Sequence, residues 1–443
     1  MGFLRSLYIH TRFFYYLSIL VASFVLSYWL PWLYPISWLL TFLLLVLFFL
    51  DIYLLFKTPK GITASREVPK KLSNGDYNSL TVFVNSKYPF KTQVVIIDEL
   101  PIQFQKRDFS YTAGLDKGEK KSFSYGLKPL ERGNYLFGHL MVFASSPLRF
   151  IKRRYTFEKD RSAPVYPSII QMQRYDFLAI SNRLTEIGVK KIRRIGHTQE
   201  FEQIKEYVPG DDFRTINWKA TAKKRQLMVN QYQDERSQPI YSLIDVGRVM
   251  KMPFNGLKLV DYAINATLAF SNVALKRKDK TGMLTFSNEV RNFVPAAQKI
   301  THLNTILETL YAIDTDFYET DFGRLYGQIK RKVTHRSLLL LYTNFEHISA
   351  VKRQLPYLLA LNKQHLLVVI FFENTELEEL VSTNAEDIQS IYHKTIAEKF
   401  ILEKRRIQKE LNNYGIQTIL TKPEQLTLNT INKYLEIKAR GLL

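Results

Sequence analysis

Three short stretches place oxygen-bearing side chains at the ends of apolar runs, where a chain can hold a hard cation. Asp245 closes the run IYSLID, Thr320 and Asp321 stand in YETDFG, and Thr343 and Asn344 follow LLLLY. A divalent cation takes about six oxygen ligands, so a single carboxylate needs hydroxyls and carboxylates from neighbouring loops. In an open α/β sheet those loops gather at the carboxyl ends of the strands. Asp245 and Thr320 are therefore the candidate metal ligands, with Mg²⁺ as the cation. The competing reading makes Asp245 a strand-end residue that caps a loop.

A second group lies in EFEQIKEYVPGDDFRTINWKATAKKRQLMVNQYQDER, which begins at Glu200. Glu200, Glu202, Asp211 and Asp212 could form a hydrolytic carboxylate cluster, but no nucleophile, base or leaving-group binder accompanies them. HExxH, GxxxxGK[ST] and GxSxG patterns are all absent from the chain. No enzyme activity and no cofactor are expected. PGDD reads as a turn whose Asp side chains can cap backbone N–H groups, and Glu206, Asp211 and Arg214 could knot together there. Arg214 and Trp218 belong to the residue types that dominate interface energetics, so the stretch also reads as a docking surface.

The elements that must position these residues follow from composition and pattern. With 443 residues, 46% of them hydrophobic and 14% aromatic, the chain can bury more than one core. The formal charge of +21 suits a partner carrying negative charge, and the lack of cysteine excludes disulfides and thiolate metal sites. Basic clusters stand at 190–194, 223–225 and 276–278. A nucleic-acid-binding or lipid-binding role is one alternative for them. No recognised nucleic-acid reading module accompanies the clusters, so nucleic acid is not expected as a partner.

Residues Phe13 to Leu30 carry no charge, and Ile36 to Phe56 carry only Asp51, near one end. At a helical rise of about 1.5 Å per residue each reaches roughly the thickness of a bilayer's hydrocarbon core. They predict a transmembrane helical hairpin within residues 1–57. Arg5 and Arg12 precede it, Lys57, Lys60, Arg66, Lys70 and Lys71 follow it, and the connecting loop has no basic residue. The positive-inside rule then puts both termini in the cytoplasm and the protein in the inner membrane.

Residues 58–167 alternate short β-prone runs with turns at Asn74-Gly75, Lys117-Gly118 and Arg132-Gly133, which predicts a β-sandwich of about seven strands. The signature segment, 168–238, follows. From 239 to 443, apolar runs alternate with helix-period segments, which predicts an α/β doubly wound domain with a parallel sheet and a C-terminal helical extension.

This order of elements resembles the von Willebrand factor type A domain, whose metal loop has the pattern Asp-x-Ser-x-Ser with a later Thr and Asp. Asp245 matches the first position and Thr320 the threonine. Gly247 and Val249 stand where the serines would be, and Asn344 replaces the later Asp. The resemblance keeps a metal-dependent, adhesion-type ligand-binding domain as an alternative function.

The charged stretch is similar to the signature of a bacterial membrane-anchored family, domain of unknown function 58, through Glu200, Glu206, Tyr207, Gly210, Asp211, Arg214 and Trp218. The pieces DELP at 98–101, LERGNY at 130–135 and SSPLRF at 145–150 agree with it. The resemblance implies a membrane-anchored cytoplasmic scaffold or adaptor acting with a MoxR-type AAA+ ATPase in protein assembly or maturation. Its implied partners are that ATPase, the lipid bilayer and other type-A-domain membrane proteins.

Overall fold

The computed structural model describes all residues except 1, 107–108, 159, 177–199, 210, 234–238, 316, 384–386 and 443. The basic cluster at 190–194 and Gly210 therefore lie outside the described residues. The chain divides into two compact units, Met1–Tyr166 and Pro167–Leu443.

The first unit begins with a surprise. The segment ahead of the apolar helices forms a strand, Leu7–Ile9, which pairs antiparallel with Ile151–Phe157. Two helices follow, Thr11–Leu26 and Leu33–Phe56. They pack through Ser23 and Ser37, whose hydroxyls lie 3.0 Å apart, and through Phe24 against Tyr34 and Trp38. Among the described residues only Leu33–Phe56 is long and apolar enough to cross a membrane; Thr11–Leu26 has 16 residues and ends short of the expected span.

Among the described residues ten strand segments follow these helices, more than the seven or so expected, in a five-stranded sheet completed by Leu7–Ile9 and two three-stranded sheets. Alternation drives the packing. Every second residue of Asn78–Ser86 and of Thr92–Asp98 is buried, and Val82, Val84, Val94 and Ile96 meet in one core. DELP and LERGNY prove to be structural here. Asp98 accepts from the Arg66 guanidinium and the Tyr125 hydroxyl, and the Tyr135 hydroxyl donates to the Glu131 carbonyl at 2.9 Å. Arg66, counted above among the basic residues that follow the hairpin, is buried in an ion pair, because a guanidinium enters a core only with its charge matched.

The second unit is built on a six-stranded sheet in the order Val290–Ala297, Lys280–Phe286, Pro239–Asp245, Leu338–Tyr342, Leu366–Phe372, Gln417–Thr421. The last five run parallel; Val290–Ala297 pairs antiparallel at the edge, which corrects the expectation of a wholly parallel sheet. Pro295 is tolerated there because an edge strand has N–H groups with no ladder partner. Helices cover both faces. Leu259–Lys276, His302–Tyr311 and Leu426–Ala439 pack on Ile240, Ile244 and Val368. Phe322–Lys332, Ile348–Gln364 and Ile388–Asn413 pack on Tyr241, Leu243 and Val369. Two buried faces explain why the central strands read as unbroken apolar runs. The signature stretch forms an antiparallel ribbon, Glu200–Glu206 with Met228–Gln233, linked by a short helix, Trp218–Lys224.

Candidate functional site

Asp245 ends its strand fully buried, and the structure brings Thr320 and Thr343 to it from two other loops. The Thr320 hydroxyl donates to Oδ1 at 2.6 Å and the Thr343 hydroxyl to Oδ2 at 2.7 Å; the Gly247 N–H adds a bond to Oδ1 at 2.9 Å. Burial pushes the Asp245 carboxyl above its usual range, and the three donors oppose that rise.

Gly247 is required by this arrangement. Its backbone is ordinary, with φ −72°, but a Cβ there would overlap the Thr320 hydroxyl and lie 3.1 Å from Asp245 Oδ1. The threonine hydroxyl occupies the space of a serine side chain at that position.

The other two metal-loop positions are also committed elsewhere. Val249 packs against the sheet core, and the Asn344 carbonyl oxygen accepts from the Lys404 ammonium at 2.6 Å. Burial lowers Lys404 to about 8. Asp321 caps Phe322–Lys332 by accepting from Arg324 N–H at 3.0 Å. This donor set does not fit a divalent cation. The one carboxylate already accepts two bonds at Oδ1 and one at Oδ2, Gly247 and Val249 offer no side-chain oxygen, and an ammonium holds the amide oxygen that would complete the shell.

The signature residues separate into a pinned turn and an exposed face. Lys205 pairs with Asp211 at 2.9 Å, and Asp211 also accepts from Val208 N–H at 3.0 Å; the ammonium first, then the amide, holds its carboxyl below the usual range. The expected knot of Glu206, Asp211 and Arg214 is therefore Lys205 with Asp211. Among the described residues no side-chain hydrogen bond or ion pair joins Glu206 or Arg214 to it.

Asp212 caps the turn Phe213–Thr215 by accepting from Arg214 N–H at 2.9 Å. Tyr207 N–H donates to Leu227 O at 2.8 Å, which extends the ribbon past Glu206. Glu200 opens the ribbon opposite Gln233. Asn217 caps Trp218–Lys224 through Ala220 N–H at 3.0 Å and fastens it to Asn230 at 2.7 Å. Around this frame Trp218 is 70% exposed, Phe213 71% and Val208 56%.

Sequence reasoning placed Asp51 near one end of its apolar run but missed its task in the first unit. Its buried carboxylate accepts from the Phe150 and Ile151 amides at 2.9 and 3.0 Å, so SSPLRF is the loop that grips the apolar helix. Arg153 donates to the carbonyls of Leu55, Thr58 and Pro59 at 2.6, 2.8 and 2.9 Å, and the Tyr88 hydroxyl donates to Leu55 O at 2.9 Å. These side chains satisfy carbonyls that a helix end leaves unpaired. The available signal was the lone carboxylate in an apolar run, which needs a partner wherever it is buried.

Residues 203–382 match the family described as Protein of unknown function DUF58. An uncharacterized protein of Bacillus subtilis (strain 168), YeaD, is 27% identical over 260 residues, 57% of this chain. The chain matches 62% of that relative's length. Together they support the DUF58 family for this chain. Among solved structures, the conserved hypothetical protein BatB from Bacteroides thetaiotaomicron is 14% identical and covers 46% of this chain and 99% of its own, with a TM-score of 0.31. The CARDB domain of the PF1109 protein from Pyrococcus furiosus is 14% identical and covers 24% of this chain and 91% of its own, with a TM-score of 0.17.

Proposed function

We propose, starting from the DUF58 match over residues 203–382, that the protein is a membrane-anchored adaptor that binds other proteins and performs no catalysis. Its main partner is a MoxR-type AAA+ ATPase, with type-A-domain membrane proteins as further partners. The observation that carries the reading is the exposed Phe213 and Trp218 pair inside the matched region, held on a capped turn and a capped short helix. Large aromatics left in solvent on a rigid frame cost solubility, and they are the side chains that anchor interfaces.

The anchor is the helical hairpin, with Leu33–Phe56 as its longer arm. Leu7–Ile9 and the end of Leu33–Phe56 both attach to the β unit, through Ile151–Phe157 and Arg153. That arrangement supports both ends of the hairpin lying on one side of the bilayer, the cytoplasmic side by the basic flanks. The sheet order and two-sided helical cover support a von Willebrand type A-like fold for residues 239–443, whose Asp245 loop works without an ion.

The test is copurification. Full-length protein, extracted in mild detergent from its own cells, retains the cell's MoxR-type ATPase, and Trp218→Ala loses it while staying folded. Equal retention by the folded variant would remove the docking face from the account.

A further inference from the structure

We propose that Arg12, Arg149 and Lys152, at the foot of the two apolar helices, form a docking site for the headgroups of anionic phospholipids. The proposal rests on the reading that these helices enter a bilayer.

The three cations converge from separate parts of the first unit. Arg12 lies in the first turn of Thr11–Leu26, Arg149 is the arginine of the SSPLRF loop, and Lys152 stands opposite Tyr8 in the pairing of Leu7–Ile9 with Ile151–Phe157. The backbone brings them together: Ile9 pairs with Ile151 and the His10 N–H donates to the Phe150 carbonyl at 2.8 Å, which sets His10 among Arg12, Arg149 and Lys152. Burial first, and then the charges of Lys152, Arg12 and Arg149, hold His10 below its usual value. Among the described residues no carboxylate pairs with any of the three. A cluster of like charges without a counter-charge is costly, and an anion from outside relieves it.

The backbone holds this cluster in place. Arg149 has φ +56°, a left-handed conformation that a residue with a Cβ adopts only where its surroundings hold it there. The next two amides, of Phe150 and Ile151, are the ones that Asp51 of Leu33–Phe56 accepts from. The apolar helix thus fixes the turn that presents Arg149.

The occupant follows from what lies beside the charges. Past Arg12 and the half-buried Phe13, the helix exposes Phe14, Tyr15 and Tyr16 at 52%, 66% and 47%. An anion that suits this place carries a phosphodiester next to hydrocarbon. An anionic phospholipid has both, with its headgroup on the cations and its acyl chains along the helix. Inorganic phosphate has no use for the apolar neighbour.

The experiment uses the full chain in detergent, titrated with phosphatidylglycerol or phosphatidylcholine, with bound lipid counted by native mass spectrometry. A parallel arm adds inorganic phosphate as competitor. Wild type is expected to prefer phosphatidylglycerol by at least about tenfold, because each Lys or Arg near an anionic surface adds about fivefold. The variant R12Q/R149Q/K152Q loses the preference, while K223Q/K224Q/R225Q, with the same change in charge, keeps it. Arg12→Gln alone, at an exposed position, costs about fivefold and guards against misfolding of the triple variant.

Carbonate extraction of membranes distinguishes loss of the anchor from loss of the lipid site. Wild type released by carbonate would overturn the anchor and this site together. Wild type retained but without lipid preference, a triple variant that keeps the preference, or competition by inorganic phosphate would overturn the site alone.

Discussion

Asp245 carries three hydrogen bonds in a fully buried setting, and its chemistry sets the first predictions. Asp245→Ala leaves three donors unmet and is expected to cost about 2–5 kcal/mol in chemical denaturation of the folded chain. Asp245→Asn keeps acceptors for two donors and removes the buried charge, so its cost at neutral pH is expected to be below about 1 kcal/mol. The pH dependence has a definite sign. The folded carboxyl is raised above its ordinary value of 3.8, so its contribution to stability is greatest below that value and is lost as pH rises through the folded one. Asp245→Asn is expected to abolish that slope, and an unchanged slope would assign it to another group. Gly247→Ser is expected to destabilise by about 1–3 kcal/mol, since its side chain meets the Thr320 hydroxyl. Asp245, Thr320 and Thr343 were legible in the sequence because strand ends gather ligands. What fills Gly247's empty place was not, because it depends on where a loop some seventy residues later comes to rest.

At the scale of elements, Ile388–Asn413 packs on one face of the sheet and puts Lys404 on Asn344, just past the central strand Leu338–Tyr342. Burial lowers Lys404 to about 8 from its ordinary 10.5, so between these values the unfolded chain binds the proton and the folded chain does not. Stability is therefore expected to rise with pH from about 8 to 10.5, and Lys404→Met to remove that rise in pH-dependent denaturation. In the first unit, Asp51→Ala is expected to speed hydrogen exchange at the Phe150 and Ile151 amides, read by mass spectrometry on the full chain. Unchanged protection would show that the loop does not depend on the helix. Long periodic helices and two-face-buried strands were legible because their pattern repeats over many residues. Val290–Ala297 was not, since an edge strand with a proline and mostly half-exposed side chains carries little alternation. The burial of Arg66 was equally hidden, because its partner Asp98 lies thirty-two residues on.

For the whole molecule, the proposed function puts anchoring in the first unit and capture of partners on the signature face of the second. The apolar helices and the signature were legible in the sequence. The bond between Asp51 and SSPLRF joins residues about a hundred positions apart and has no local pattern. The central claim is tested most directly by the affinity of full-length protein, held in lipid nanodiscs, for the purified MoxR-type ATPase of the same cell. The account predicts that Trp218→Ala weakens binding by at least about tenfold, as loss of an interface anchor does. Tyr392→Ala, at a similarly exposed aromatic on Ile388–Asn413, is predicted to leave the affinity unchanged. Equal affinity of the wild type and folded Trp218→Ala, or no binding by either, would contradict it.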